Sequence, residues 1–131
     1  MTDREGSDGS WAERFRVLAV CTKLPRAELE YPFGLATAVF KVGGKMFAAV
    51  SLSDEPGRLT LKCDPDYAAF LIQQFDEMIP GYHMNKRHWI TITLNPTLPA
   101  DLVEDLISDS YDLVIASIPN YARPSLETRD W

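Results

Sequence analysis

Apolar positions along the chain change their period several times, and each change predicts a new element. Behind Ser10, which forms a capping-box pattern with Glu13, they recur at helical spacing until Pro25. A second helical run opens with Asp64-Pro65, an N-cap carboxylate followed by proline at the first helical position, and a third opens at Pro99. The sequence therefore predicts three helices. The expected inward positions are Tyr67, Phe70, Leu71, Phe75 and Met78 on the second helix, and Leu102, Val103, Leu106, Ile107, Ser110, Leu113, Val114 and Ile118 on the third.

Short segments rich in β-branched and aromatic residues lie between these helices and predict strands. Gly43-Gly44 separates the first two and suits a tight hairpin turn, because glycine accepts positive φ at both turn positions. The order of helix, three strands, helix, strand and helix indicates an α+β fold: two layers, with an antiparallel sheet (a β-meander plus a later strand) covered by helices. The predicted strands are 36–42, 45–53, 58–63 and 88–94.

The length of 131 residues and the hydrophobic content of 46% predict one domain spanning residues 1–131. We expect an ordered core over about residues 10–119, with flexible tails at 1–9 and 120–131. The longest apolar runs fall short of the roughly 20 residues of a membrane span, and the N-terminus does not resemble a signal peptide. The sequence thus predicts a cytoplasmic protein that does not associate with membranes.

Charge is unevenly distributed along the chain. The net charge is −6, and residues 99–131 hold seven acidic against two basic side chains, so most of the excess lies near the C-terminus. This argues against a generally basic nucleic-acid coat protein. Any anion-binding surface must be local and must lie away from the last helix.

The segment 80–89 is not explained by burial alone. It combines two histidines, a lysine, an arginine, an asparagine and two large aromatics, with no acid between Glu77 and Asp101. Such donors beside aromatic faces suit phosphate contacts and base stacking, although a solvated loop anchored by its aromatics would use the same residues. Lys41 and Lys62 are further possible phosphate contacts. The candidate nucleic-acid-binding residues are Lys45, Tyr82, His83, Asn85, Lys86, Arg87, His88 and Trp89.

Evidence for catalysis or metal binding is thin. The two histidines are five positions apart and have no cysteine or paired carboxylates near them in sequence. Cys21 and Cys63 fall on apolar faces that make thiols inert, and the two cysteines form neither a disulfide framework nor a zinc set. The serines of the last helix have no glycine elbow around them. We therefore expect no catalytic residue, no metal and no cofactor.

Several segments carry a family resemblance that extends from Leu24 to Pro119. They are LPRAELEYPFG (24–34), FKVGGKMFAAV (40–50), LKCDPDYAAFL (61–71), PGYHMNKRHWITI (80–92) and LISDSYDLVIASIP (106–119), and they closely resemble the MmcQ/YjbR family of small bacterial proteins. The resemblance implies a CyaY-like (frataxin-like) α+β domain that binds DNA through a "double wing" arrangement. The family motif falls on Tyr82, His83, Met84, Asn85, Lys86, His88 and Trp89, with Gly43, Gly44 and Lys45 in the hairpin.

The frataxin relationship does not imply iron binding for this chain. Iron binding in that fold depends on an acidic ridge on the first helix, whereas here Glu13 stands against Arg14, Arg16 and Lys23.

Two functional hypotheses follow. The first is a non-enzymatic, monomeric DNA-binding protein whose few phosphate contacts make binding weak and salt-sensitive. The alternative is a protein-interaction or small-ligand-binding module that uses His83, Asn85 and Trp89.

Overall fold

The computed structural model describes residues 2–81 and 86–120, with side chains from residue 12 onward. The elements are α1 (Thr2–Lys23), β1 (Glu28–Glu30), β2 (Thr37–Val42), β3 (Lys45–Ser51), β4 (Arg58–Lys62), α2 (Pro65–Gln74), β5 (Met78–Pro80), β6 (Trp89–Thr93) and α3 (Ala100–Ala116). Six strands form one open antiparallel sheet in the order β1-β2-β3-β4-β6-β5, so β6 joins beside β4 and β5, the first strand after α2, lies at the edge. The α+β prediction is confirmed.

One face of the sheet is apolar and lies under the helices. Helix α3 packs on β2, β3 and β4, α1 packs on α3 and β3, and α2 packs on β5 and β6. Within the described ranges, none of the helices is both long and apolar enough to cross a membrane. Two rows of cross-strand neighbours are fully buried beneath these helices. The first consists of Phe40, Ala48, Leu61 and Ile90, and the second of Val50, Leu59, Ile92 and Met78.

Two short edge strands were not predicted. β1 lies in a segment expected to be a connection, and β5 lies where the second helix was expected to continue. The predicted helical positions Phe75 and Met78 are wrong for this reason: α2 ends at Gln74, Phe75 is its extended C-cap, and Met78 pairs with Ile92. Three residues are too few to show alternation, so such strands are defined by the neighbour that supplies their hydrogen bonds.

The first helix differs from its prediction at its start and in its buried face. It begins at Thr2, so Ser10 lies inside the helix and not at its N-cap. Arg14 is only 1% exposed and donates a hydrogen bond from Nη2 to the carbonyl oxygen of Asp54. Gly57 packs against this guanidinium: a Cβ there would lie 2.8 Å from Nη2.

The buried stripe of α3 agrees with the prediction at its central positions. Val103, Leu106, Ile107, Ser110, Val114 and Ile118 are buried, as is Tyr111, which was not predicted. The Tyr111 ring meets Phe47 edge-on at 5.3 Å, and its hydroxyl donates to the carbonyl of Pro25 at 2.6 Å, which explains why a polar aromatic can be fully buried. On α2, by contrast, Tyr67 and Phe70 are 38% and 54% exposed and stack on each other, while Ala68 and Leu71 face the core.

Candidate nucleic-acid interface

The tip of the β2–β3 hairpin forms as the two glycines predict. Gly43 and Gly44 have φ values of +59° and +81°, the left-handed conformation that this tight turn requires. Lys45 follows the turn and is exposed, and its Nζ lies 3.4 Å from the carbonyl oxygen of Ser117 at the C-cap of α3. A cation is favourable at this end of a helix dipole, so Lys45 links the hairpin tip to α3.

The pairing of β4 with β6 places a cation beside an aromatic ring. Lys62 lies directly opposite Trp89, and both alternate with the buried Leu61 and Ile90, so their side chains lie on the face away from the helices. One rung beyond, the Cys63 amide donates to the His88 carbonyl at 2.8 Å and extends the pairing into the candidate segment. The Cβ atoms of cross-strand neighbours are about 5 Å apart, so one bound nucleotide can contact both side chains.

Strand order therefore gathers the predicted cations at one end of the sheet. The hairpin tip on β3, the end of β4 and the start of β6 are adjacent, because β3 pairs with β4 and β4 pairs with β6 in antiparallel register. Lys86, Arg87 and His88 are exposed and Trp89 is partly buried. We call this region the basic end; it comprises Lys45, Lys62, Lys86, Arg87, His88 and Trp89.

Not every predicted residue belongs to the basic end. Tyr82, His83 and Asn85, together with Met84 of the family motif, lie outside the described residues. Lys41 is paired with Glu30 across β1 and β2 at 3.0 Å, so its charge is compensated.

Gly81 closes the base of the candidate segment. Its amide donates to the carbonyl oxygen of Trp89 at 2.7 Å, which continues the β5–β6 ladder by one rung beyond Pro80 and Ile90. A Cβ at residue 81 would lie 2.5 Å from the Cβ of Trp89 and 3.0 Å from its carbonyl carbon and oxygen. Only glycine fits so close to the neighbouring strand, so Gly81 fixes where the segment leaves β5 and returns at Trp89.

Ser110 holds Lys62 in place from the helix side. Its hydroxyl accepts from the Lys62 amide at 2.9 Å and donates to the Phe47 carbonyl at 2.6 Å. In the β3–β4 pairing, Phe47 and Lys62 would be the next pair after Ala48 and Leu61. This pair does not form, because an irregularity in the β2–β3 register falls at Phe47. The serine therefore replaces a missing rung of the sheet, which gives a structural role to this position of the family-like segment 106–119.

A cleft of about 300 Å³ adjoins the basic end on the helix side, between α2 and α3. Its apolar surface comes from both helices and from the strands beneath them, and Lys62 and Cys63 lie at its margin. Among the residues that the structure describes, no three His, Cys, Asp or Glu side chains are grouped to hold a metal ion. The lining includes Leu61, Asp64, Tyr67, Ile90, Asp109 and Asp112.

Sequence reasoning missed this cleft because its residues come from separate elements. Asp109 and Asp112 were grouped only as part of an acidic helix, and Tyr67 was assigned to the core. One signal for the cleft was present in the sequence. Asp109 and Asp112 are three residues apart, so they share a helix face, and they lie next to the apolar stripe of α3. Partial desolvation, followed by the neighbouring carboxylates of Asp112 and Asp105, raises the pKa of Asp109 above its usual value.

Both thiols are buried and protonated, as the sequence predicts. Burial raises the pKa of Cys21 to about 12, and burial together with the carboxylates of Asp64 and Asp109 raises that of Cys63 to about 11. We expect the folded protein to react with a disulfide reagent at pH 8 on the order of 100-fold more slowly than the protein in guanidinium chloride. Absorbance of the released thiolate measures this, with Cys21→Ser and Cys63→Ser variants to assign each thiol; fast labelling of either cysteine in native buffer would contradict it.

Fold and site define a small α+β domain whose antiparallel sheet carries a basic end beside an acidic, largely apolar cleft. The chain belongs to the YjbR family: the family model matches residues 22–113. The resemblance found in the sequence is thus confirmed. Protein YbdF of Escherichia coli O157:H7 is 41% identical over 93 residues, covering 71% of this chain and 76% of that protein. Protein YjbR of Escherichia coli K12 is 30% identical over 110 residues, covering 84% and 93%.

Solved structures show the same architecture. The crystal structure of Deinococcus radiodurans protein DR2400, with domain DUF419, matches with a TM-score of 0.77 and 34% identity over 88% of this chain and 93% of that one. A crystal structure from Pseudomonas syringae matches with a TM-score of 0.61 and 27% identity over 76% and 95%. The relatives YbdF and YjbR are both described as uncharacterised, so the CyaY-like classification and the DNA-binding role remain predictions.

Proposed function

We propose that this protein binds DNA, without catalysing a reaction, through the basic end. The observation that carries the proposal is the direct cross-strand pairing of Lys62 with Trp89. A lysine contacts a phosphate while an adjacent aromatic ring offers a stacking surface to a base, and this combination recurs where proteins hold nucleic acid strands.

The charges around the basic end limit how DNA can approach. The acidic side chains of α3 include Asp101, Glu104, Asp105, Asp109 and Asp112, and this helix covers the opposite face of the sheet from the one where Lys62 and Trp89 lie. Contact is therefore confined to the sheet end, where about three phosphates can be neutralised, giving a slope of about −3 in log affinity against log salt. Binding of this kind is weak and electrostatic.

A matched pair of variants on one strand tests the proposal. Lys62 and Arg58 stand at opposite ends of β4 and on the same face, and only Lys62 belongs to the basic end. In fluorescence-anisotropy titrations of a labelled duplex and the corresponding single strand, Lys62→Gln is expected to weaken binding about fivefold at low salt and to reduce the salt slope by about 1. Arg58→Gln is expected to change affinity less than about twofold, since it removes an equal charge far from the contact.

Two outcomes would overturn this function. One is the absence of saturable binding by the wild-type protein at low salt. The other is an equal loss of affinity in Lys62→Gln and Arg58→Gln, which would show that only overall charge matters. Adding Lys86→Gln to Lys62→Gln should weaken binding further, because Lys86 is an exposed cation three residues before Trp89. A thermal melt of each variant separates loss of contact from loss of fold.

The alternative module built on His83, Asn85 and Trp89 stays a prediction. His83 and Asn85 lie outside the described residues, so it has less support from the structure than the basic end has.

A further inference from the structure

The cleft between α2 and α3 has the lining of a small-ligand site. Leu61 and Ile90 form an apolar floor from two neighbouring strands, and Tyr67 offers a ring from α2. Its volume of about 300 Å³ is at the lower end of the range that proteins use for small molecules. An apolar cleft with a few polar groups at its margin favours a compact organic ligand over a peptide or a bare ion.

The sign of the charge in the cleft indicates a cation. Three carboxylates line it, from Asp64, Asp109 and Asp112, while Lys62 borders the cleft from β4 and carries its ammonium on the other face of the sheet. Asp64 is already engaged, because its Oδ2 caps α2 by accepting from the amides of Asp66 and Tyr67 at 3.1 and 3.2 Å. The carboxylates are exposed, so they form an acidic rim around the apolar floor of the cleft and attract a positive charge to it.

Asp109 is the carboxylate available to a ligand. It forms no hydrogen bond or ion pair with a residue in the described ranges 2–81 and 86–120, although Asp105 and Asp112 are close enough to repel it. This repulsion and partial desolvation raise its pKa, which means that a nearby positive charge would relieve an unfavourable environment. The Tyr67 ring, 38% exposed and stacked on Phe70, adds a π surface that also favours cations.

We propose that this cleft binds a small organic amine, with its ammonium group at Asp109 and its apolar or aromatic body against Leu61, Ile90 and Tyr67. A metal ion is disfavoured as the occupant because the acidic and thiol groups of the described residues are not clustered for coordination. An anionic ligand would meet three carboxylates. The inference stands independently of DNA binding, since it uses the opposite side of β4.

The test compares three probes that share a phenyl body: phenethylamine, 2-phenylethanol and phenylacetate. Amide NMR titrations of the full chain measure affinity and report which residues shift. Phenethylamine is expected to bind about tenfold more tightly than the alcohol, with shifts around Leu61, Tyr67 and Asp109, while phenylacetate does not bind. Asp109→Asn should weaken the binding of phenethylamine about tenfold and so remove its preference over the alcohol.

Asp101→Asn is the matched control, because it removes the same charge from the exposed first turn of α3, outside the cleft. It should keep the preference for the amine. Equal affinities of amine and alcohol for the wild-type protein would overturn the proposal, as would equal losses in the two variants or the absence of phenethylamine binding. The spectra of each variant verify that the fold is retained.

Discussion

Replacing Gly81 by alanine is expected to lower the free energy of unfolding by about 3 kcal/mol. The added methyl group would lie 2.5 Å from the Cβ of Trp89 and 3.0 Å from the Trp89 backbone, distances that require β5 and β6 to move apart. That movement also strains the 2.7 Å hydrogen bond from the Gly81 amide to the Trp89 carbonyl. Urea unfolding followed by circular dichroism measures the change.

Gly44→Ala is the matched control for this substitution. A Cβ at residue 44 meets no atom within 4 Å, but the φ of +81° makes any side chain strained, so a smaller loss of about 1 kcal/mol is expected. The clash at Gly81 involves the Cβ of Trp89, which alanine keeps; Trp89→Ala should therefore not rescue Gly81→Ala in a double-mutant cycle. A Gly81→Ala protein as stable as wild type would show that the two strands adjust without cost, and full rescue by Trp89→Ala would show that the clash comes from the indole ring and not from Cβ and the backbone.

The long elements of the fold could be predicted because their periodicity extends over many residues. Three helices and four strands were found this way, and Asp64 caps α2 as its carboxylate predicts. The failures lie where the tertiary environment decides. Tyr67, Phe70 and Leu71 were predicted to face the core, and only Leu71 does, together with Ala68; Tyr67 lines the cleft and Phe70 is exposed. Hydrophobicity alone does not show which of two apolar helix faces the sheet will cover.

The candidate site was only partly accessible to sequence reasoning, for a related reason. The segment containing Lys86 and Trp89 is distinctive by composition, whereas Lys62 differs from other strand lysines only by its partner. That partner depends on β6 joining beside β4 after an intervening helix and edge strand, a long-range pairing that leaves no local signal. The Arg14 side chain shows the same limit, because its burial depends on the β3–β4 turn around Gly57.

Replacing Ser110 by alanine is expected to lower the free energy of unfolding by about 3 kcal/mol, although it removes one oxygen atom. The hydroxyl is fully buried and satisfies two backbone groups, the Lys62 amide at 2.9 Å and the Phe47 carbonyl at 2.6 Å. Without it both groups stay buried and unpaired, and each such group costs about 1–3 kcal/mol. Urea unfolding gives the global loss, and hydrogen exchange at the Lys62 amide reports the local one, with faster exchange expected in the variant.

Ser108→Ala provides the control, since Ser108 lies on the same helix but is exposed. This variant should be as stable as wild type or slightly more stable, because alanine has the higher helix propensity. If Ser110→Ala were as stable as Ser108→Ala and kept slow exchange at Lys62, the Phe47 carbonyl would have to reach the Lys62 amide directly. Lower stability and faster Lys62 exchange in Ser110→Ala would establish that a side chain from α3 completes the sheet at Lys62, the residue opposite Trp89. The position of the basic end would then depend on the helix packed behind it.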